Sequence, residues 1–168
     1  MKYIYTEQDL DMVSWQRIDQ YIDKICNDVN NFIVKNNLAI KYIIPILRGG
    51  GVPSVMLSHK FNIIDFLPVQ LRYNGVYNVK FSLDMYNNIT INSDNECVLL
   101  VESNDVNGTT ASIVKDMIIN KFGKNTKIIY VSMAKDYSNK DSVKDVIFTA
   151  YGFYTNEKKK LSKKNAKN

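Results

Sequence analysis

The 168-residue chain has one histidine, one tryptophan, two cysteines and three prolines. Each scarcity closes off a class of function. Hydrolysis by a Ser–His or Cys–His pair needs a base beside its nucleophile. His59 has no second histidine to assist it and, next to Lys60 in a helical stretch, reads as a helix-face residue. Cys26 and Cys97 lack metal-type spacing and sit in apolar patterns, so they read as reduced core thiols of a cytosolic protein. No apolar run approaches the roughly 20 residues of a membrane span. The opening MKYIYTEQDLDM lacks the apolar core of a signal peptide. No internal repeat is present.

Excess positive charge is also scarcer than it looks. The formal net charge is +5, yet Lys158, Lys159, Lys160, Lys163, Lys164 and Lys167 face a single acid, Glu157, in the last twelve residues. Without that segment, 16 basic and 16 acidic residues balance. Residues 158–168 therefore read as a solvated, disordered tail behind one domain spanning 1–157. The balance of that domain argues against a nucleic-acid partner.

What is there is an alternation of periods. Trp15, Ile18, Ile22, Ile25, Val29, Phe32 and Ile33 recur at spacings of three and four and predict one face of a long helix, with Trp15 in the core. Thr6 and Asp9 form a capping signal for a short helix before it. KYIIPIL, CVLLVE and KIIYVSMAK are nearly continuous apolar runs, as in buried parallel strands. IIDFLPVQLRY predicts a strand broken near Pro68, and VKDVIFTAYGFY a last one. SVMLSHKFN and TTASIVKDMIINKFG predict helices ending at Asn62 and Gly123. Asn74–Asn92 is Asn-rich and weakly patterned, and reads as a long mobile hairpin or loop. The sum is an α/β fold with a mainly parallel sheet flanked by helices, in which ligands bind at the carboxyl ends of strands.

Two glycine-rich turns follow strands. ILRGGGVPS lets backbone amides approach a ligand, adds a helix N-terminus, and offers the Arg48 guanidinium to phosphate oxygens. It reads equally as a tight turn with Arg48 on the surface. NGTTAS, Asn107–Ser112, pairs Gly108 with three hydroxyls and a helix start, which can cradle a phosphate monoester. No lysine follows the glycine, so it is not a P-loop, and an ordinary capped helix start has the same look. Glu102, at the intervening strand end, could hold a ribose hydroxyl or a hydrated Mg²⁺, or simply face solvent. Together the two turns suit a ligand with phosphate at both ends of a sugar.

IIPILRGGGVPS and VLLVESNDVNGTTAS, in this order and spacing, resemble the pyrophosphate loop and the phosphoribosyl-pyrophosphate motif of the type I phosphoribosyltransferases. The likeness is nearest to the bacterial xanthine–guanine and hypoxanthine enzymes, and VSMAKDYS resembles their later lysine-bearing strand. The resemblance covers about residues 2–157. It implies transfer of a 5-phosphoribosyl group from phosphoribosyl pyrophosphate to a nucleobase, a 6-oxopurine, with Mg²⁺ and in a homo-oligomer. Arg48 and the amides of Gly49 and Gly50 would take the pyrophosphate. Glu102 would hold the ribose hydroxyls, with Asp105 a second candidate acid. Asn107, Gly108, Thr109 and Thr110 would grip the 5′-phosphate. Lys135 would select an oxo group on the base, Phe153 or Tyr154 would stack on it, and Tyr73 would begin a closing lid.

The motif departs from the family at three places. Aligned on Gly108, the second acid becomes Ser103, the base-facing aspartate becomes Val106, and a threonine becomes Asn107. Asp105 is one position off and on an alternating backbone would point another way. Three readings follow: an enzyme with altered base chemistry, a rearranged loop in which Asp105 takes over, or a fold kept for binding and regulation.

Overall fold

The structure is a computed structural model describing residues 13–136 and 143–155. The Lys-rich tail and the Thr6–Asp9 capping signal lie outside the described residues. Helix α1 (Trp15–Lys35) is followed by β1 (Ala39–Leu47), α2 (Gly51–Phe61), β2 (Val69–Tyr73), β3 (Tyr77–Phe81), a 3-10 turn (Leu83–Met85), β4 (Glu96–Asp105), α3 (Thr109–Phe122), β5 (Lys127–Asp136) and β6 (Phe148–Thr155). The strands form one sheet in the order β3-β2-β1-β4-β5-β6. All neighbours are parallel except the antiparallel β2–β3 pair.

Side-chain alternation sorts this sheet onto two cores. Cys97, Leu99 and Val101 of β4, with Ile129 and Val131 of β5, face Ile22, Ile25 and Val29 of α1 and Leu57 of α2. Val98, Leu100, Ile128 and Tyr130 face Ala111, Val114 and Ile118 of α3. A strand covered on both sides must be apolar throughout, which is why the runs read as continuous rather than alternating. Burial also pushes both thiols up, Cys26 to about 11 and Cys97 to about 12, so neither is a thiolate nucleophile at neutral pH.

The helices end where their sequences say. Ser14 caps α1 by accepting from the Arg17 amide. Asn62 closes α2 in the left-handed conformation at φ 54°, and Gly123 closes α3. The glycine turn is shorter than expected, because α2 has already begun at Gly51. In the predicted IIDFLPVQLRY strand only Val69–Tyr73 is a strand, with Phe66 bridging singly to Ile43.

One expectation needs correction. Trp15 is not core: it is 70% exposed, because it occupies the first turn of α1, ahead of the residues that meet the sheet. The hairpin expected in Asn74–Asn92 is there, turning between β2 and β3, but the segment does more than turn. It holds β3 and the 3-10 turn, and Leu83, Tyr86, Ile89 and Ile91 pack against the α3 core. Lys121 Nζ fastens it further by donating to the Tyr86 carbonyl at 2.8 Å. Its apolar residues follow neither a helical nor a strand period, so no pattern announces them.

Gly152 lets β6 lie against α1, since a Cβ there would sit 2.7 Å from the Met133 carbonyl oxygen and 2.9 Å from Tyr21 Cβ. The contrast between the two α1 positions is measurable. Ile25→Ala, at a fully buried site, should cost about 2–5 kcal/mol in urea unfolding. Trp15→Ala should stay within about 0.5 kcal/mol of wild type. Equal losses would contradict the placement of Trp15.

Candidate functional site

The site gathers at the carboxyl ends of β1, β4, β5 and β6. The first glycine turn leaves β1 through a cis peptide bond between Leu47 and Arg48 and enters α2 with Gly50 as its cap. Gly50 has an ordinary helical φ of −68°, so conformational freedom is not why it is glycine. Space is. A Cβ at Gly50 would collide with the Val101 carbonyl oxygen and lie 2.8 Å from that of Ile46. One at Gly49 would strike the Ser103 hydroxyl, with Ser103 Cβ 3.0 Å away. The turn is therefore pressed onto β4, and Ser103, at the place of the family's second acid, is what it rests against. Arg48 is exposed at its head.

β4 runs on through the acids to Asp105, further than its apolar portion predicts. Asp105 is 1% exposed. Its Oδ1 accepts the Gly108 amide at 2.8 Å. Its Oδ2 meets Lys135 Nζ at 3.1 Å and accepts the Tyr151 hydroxyl at 3.3 Å. Strand register sets this up, because Asp105 lies beside Lys135 on β5, and Lys135 beside Tyr154 on β6. The carboxylate thus holds the second glycine turn from inside, and Lys135, itself 4% exposed, is drawn toward it. Val106 is 50% exposed.

Past Asp105 the chain turns through Asn107, whose side chain accepts the Thr109 amide at 3.1 Å, to Gly108 at φ 73°. That left-handed conformation explains the glycine. The Gly108 and Thr109 amides are thus already used. The amides of Thr110 and Ala111 have no carbonyl to meet within the helix, and the side chains of Thr109 and Thr110 stand beside them. Asn107 and Thr109 are exposed and Thr110 partly so. This helix start is open at its surface, with the positive end of the α3 dipole behind it, a setting that favours an anion.

Glu102 lies between the two turns. Tyr130 donates its hydroxyl to Glu102 Oε2 at 2.9 Å. Burial pushes the Glu102 carboxyl up to about 7, with Asp105 adding to the rise and the Tyr130 bond and Lys135 opposing it. Burial raises the hydroxyls of Tyr130 and Tyr151 as well, chiefly by desolvation and then through the adjacent acids. Both remain hydrogen-bond donors at neutral pH. Phe153 stacks on Tyr21 of α1 at 4.5 Å, whereas Tyr154 lies 5.8 Å from Tyr151 and is 44% exposed. Tyr73 is 66% exposed on the β2–β3 hairpin. Tyr130 and Tyr151 escape sequence reasoning because a tyrosine inside an apolar strand reads as core, and its hydroxyl's partner lies on another strand.

Among the described residues no group of three or more His, Cys, Asp or Glu could hold a metal ion. That donor set does not fit a resident Mg²⁺. A single carboxylate such as Glu102 fits only an ion that brings its other ligands with it. No described helix is long and apolar enough to cross a membrane.

The fold has counterparts among solved structures. A purine phosphoribosyltransferase of Pyrococcus horikoshii matches 85% of this chain over 85% of its own, at TM-score 0.58 and 20% identity. The type I phosphoribosyltransferase fold is present. The xanthine-guanine-hypoxanthine phosphoribosyltransferase of Helicobacter pylori covers 90% of this chain and 96% of its own at TM-score 0.61 and 14% identity. A hypothetical protein of Neisseria gonorrhoeae with bound ppGpp covers 96% and 92% at TM-score 0.61 and 16% identity. No family model and no curated protein sequence matches. At such identities the likeness is one of fold.

Two measurements test this geometry. Gly50→Ala should destabilise by about 3 kcal/mol or more, because backbone cannot yield. Gly49→Ala should cost less, and adding Ser103→Ala should recover part of the loss. Glu102 behaves opposite to a salt-bridged acid. Its carboxyl at about 7, against 4.5 unperturbed, keeps the folded state protonated where the unfolded chain has ionised. Its effect on stability is therefore constant below pH 4.5 and declines between pH 4.5 and 7, by at most about 3 kcal/mol. Glu102→Gln should remove that decline, so that its melting temperature exceeds that of wild type at pH 8 and not at pH 4.5.

Proposed function

We propose that this protein transfers the 5-phosphoribosyl group from phosphoribosyl pyrophosphate to a nucleobase, a 6-oxopurine, releasing pyrophosphate. The observation that carries the reading is the contact of the first glycine turn with β4. Through Gly49 and Ser103 it sets the Arg48 turn beside the strand that ends in the second turn. Two anion cradles on adjacent strands, with Glu102 between them, match a sugar phosphorylated at both ends.

In this reading a ring nitrogen of the base bonds to C1 of the ribose as the bond from C1 to pyrophosphate breaks. Pyrophosphate leaves with the electron pair, and the base gives up its proton. Negative charge grows on the leaving group, and Arg48 with the Gly49 amide is proposed to receive it; the Gly50 amide, expected to join them, instead donates to the Ile46 carbonyl at 2.8 Å. The amides and hydroxyls around Thr109 and Thr110 fix the 5′-phosphate end while C1 moves. Tyr130 occupies Glu102 Oε2, which leaves Oε1 for the ribose hydroxyls. Mg²⁺ bound to the pyrophosphate would neutralise its charge. Tyr154 is the stacking candidate, since Phe153 is engaged with Tyr21. Lys135 reads the base oxo group only by leaving Asp105. A cytosolic homo-oligomer belongs to the same reading.

A second reading has specific support. Ser103 and Val106 replace two acids of the family motif, and the Neisseria gonorrhoeae neighbour was solved with bound ppGpp. That nucleotide also bears phosphates at both ends of its sugar. A regulatory protein of this fold would use the same cradles without turnover.

The deciding experiment is pyrophosphate release from phosphoribosyl pyrophosphate and Mg²⁺, with hypoxanthine, guanine, xanthine, adenine, uracil and orotate offered separately. Release with a 6-oxopurine is the expected outcome, and Glu102→Ala should abolish it while leaving the fold intact. Binding of phosphoribosyl pyrophosphate or ppGpp with no release for any base would select the regulatory reading.

A further inference from the structure

We propose that Tyr77, on the β2–β3 hairpin, is part of the 5′-phosphate site: its hydroxyl and that of Thr110 together bind one oxygen of a sugar 5-phosphate. This rests on the reading of the second turn as a phosphate cradle, and adds to it a ligand from a different element.

The two hydroxyls face each other at 3.4 Å, and either could donate. A settled O–H···O bond is about 2.7–2.8 Å long, so the pair is in proximity but bonded weakly. Two donors 3.4 Å apart, each about 2.7 Å from one oxygen, subtend an angle of about 78° there. A phosphate oxygen, with several lone-pair directions and full negative charge, accepts both. Charge-assisted bonds are roughly twice as strong as neutral ones, so the anion gains more from both hydroxyls than they gain from each other.

The hairpin is built to hold Tyr77 in that place. Tyr77 stands opposite Tyr73 in the antiparallel register, and their rings lie 5.0 Å apart. Asn78 Nδ2 donates to Asn74 Oδ1 at 2.7 Å and to the Val76 carbonyl at 3.2 Å. Gly75 turns the chain between them at φ 92°. Below this clamp, Phe81 meets Tyr86 edge to face at 5.8 Å, and the Tyr86 hydroxyl donates to the Pro68 carbonyl at 3.0 Å. Tyr77 is 38% exposed, while Tyr73 and Val76 beside it are each 66% exposed. The side chain nearest the second turn is therefore the least exposed of the three, and its ring rests on Tyr73 by a contact that does not involve its hydroxyl. A bound phosphate would fasten the hairpin across the second turn.

The test is calorimetric titration of the full chain with ribose 5-phosphate and, separately, with inorganic pyrophosphate. Tyr77→Phe keeps the ring against Tyr73 and removes only the hydroxyl. It should weaken ribose 5-phosphate by about tenfold or more, leave pyrophosphate within about twofold, and leave the melting temperature unchanged. Combined with Thr110→Val, the two losses should be non-additive, because both hydroxyls serve one oxygen. Unchanged ribose 5-phosphate affinity in Tyr77→Phe overturns the proposal while the cradle stands. Equal weakening of both ligands, or a lowered melting temperature, also overturns it by showing a structural role. If wild type binds no ribose 5-phosphate, the phosphate reading of the second turn fails together with it.

Discussion

The carboxylate of Asp105 is the point on which the site's geometry depends. It sits at the end of a strand, out of water, and splits its two oxygens between two tasks. One fixes the amide of Gly108 and so the start of α3. The other draws in a lysine of β5 and a tyrosine of β6. A buried carboxylate without such partners would be costly. With them it ties a loop to two strands that would otherwise end independently. Because it is the same carboxylate, the second glycine turn and the Lys135 and Tyr151 side chains cannot be displaced separately. Anything that pulls Lys135 outward also strips a charge partner from the acid that holds Gly108.

This gives the altered motif a physical sense. An acid two residues before the glycine would lie at the exposed Val106 position and face a ligand. An acid three before it lies inside and faces the protein. Moving the charge by one residue exchanges a ligand contact for an internal brace, because successive residues on extended backbone point to opposite sides. Ser103 follows a similar logic. With the glycine turn pressed against it, a longer acidic side chain there would have to push Gly49 away or turn from it. The two departures are thus connected to how closely β1 and β4 approach at the site.

The architecture was legible because it rests on short-range patterns. Apolar runs bounded by glycine turns mark buried parallel strands, and the spacing of Ile22, Ile25 and Val29 marks a helix face. Both glycine turns stood out because glycine has no easy substitute in either, through close contact at Gly49 and Gly50 and through a left-handed φ at Gly108. What escaped was set by contacts distant in sequence. Asp105 meets Lys135 and Tyr151, Glu102 meets Tyr130, and nothing local in any of these segments encodes the meeting. Trp15 misled because a helical period says which face a residue lies on, and not whether the partner sheet extends that far. The Asn-rich segment announced its hairpin but not its packing, because Leu83, Tyr86, Ile89 and Ile91 cover α3 without a regular period.

Charge decides what kind of ligand such a cleft admits. Two carboxylates close to a polyanion site would repel phosphate if both were ionised and exposed. Here neither condition holds. Asp105 is buried against Lys135, and the Glu102 carboxyl is held near 7 by its burial, so it can be protonated at neutral pH. What remains at these strand ends is the exposed Arg48 and the start of α3, where the amides of Thr110 and Ala111 have no helical partner. In the proposed reading, a Mg²⁺ carried in on pyrophosphate would have mainly the ligand's charge to offset. A cation or sugar hydroxyl reaching Glu102 would favour its ionised form, so that ligand entry would release a proton from the acid between the two turns.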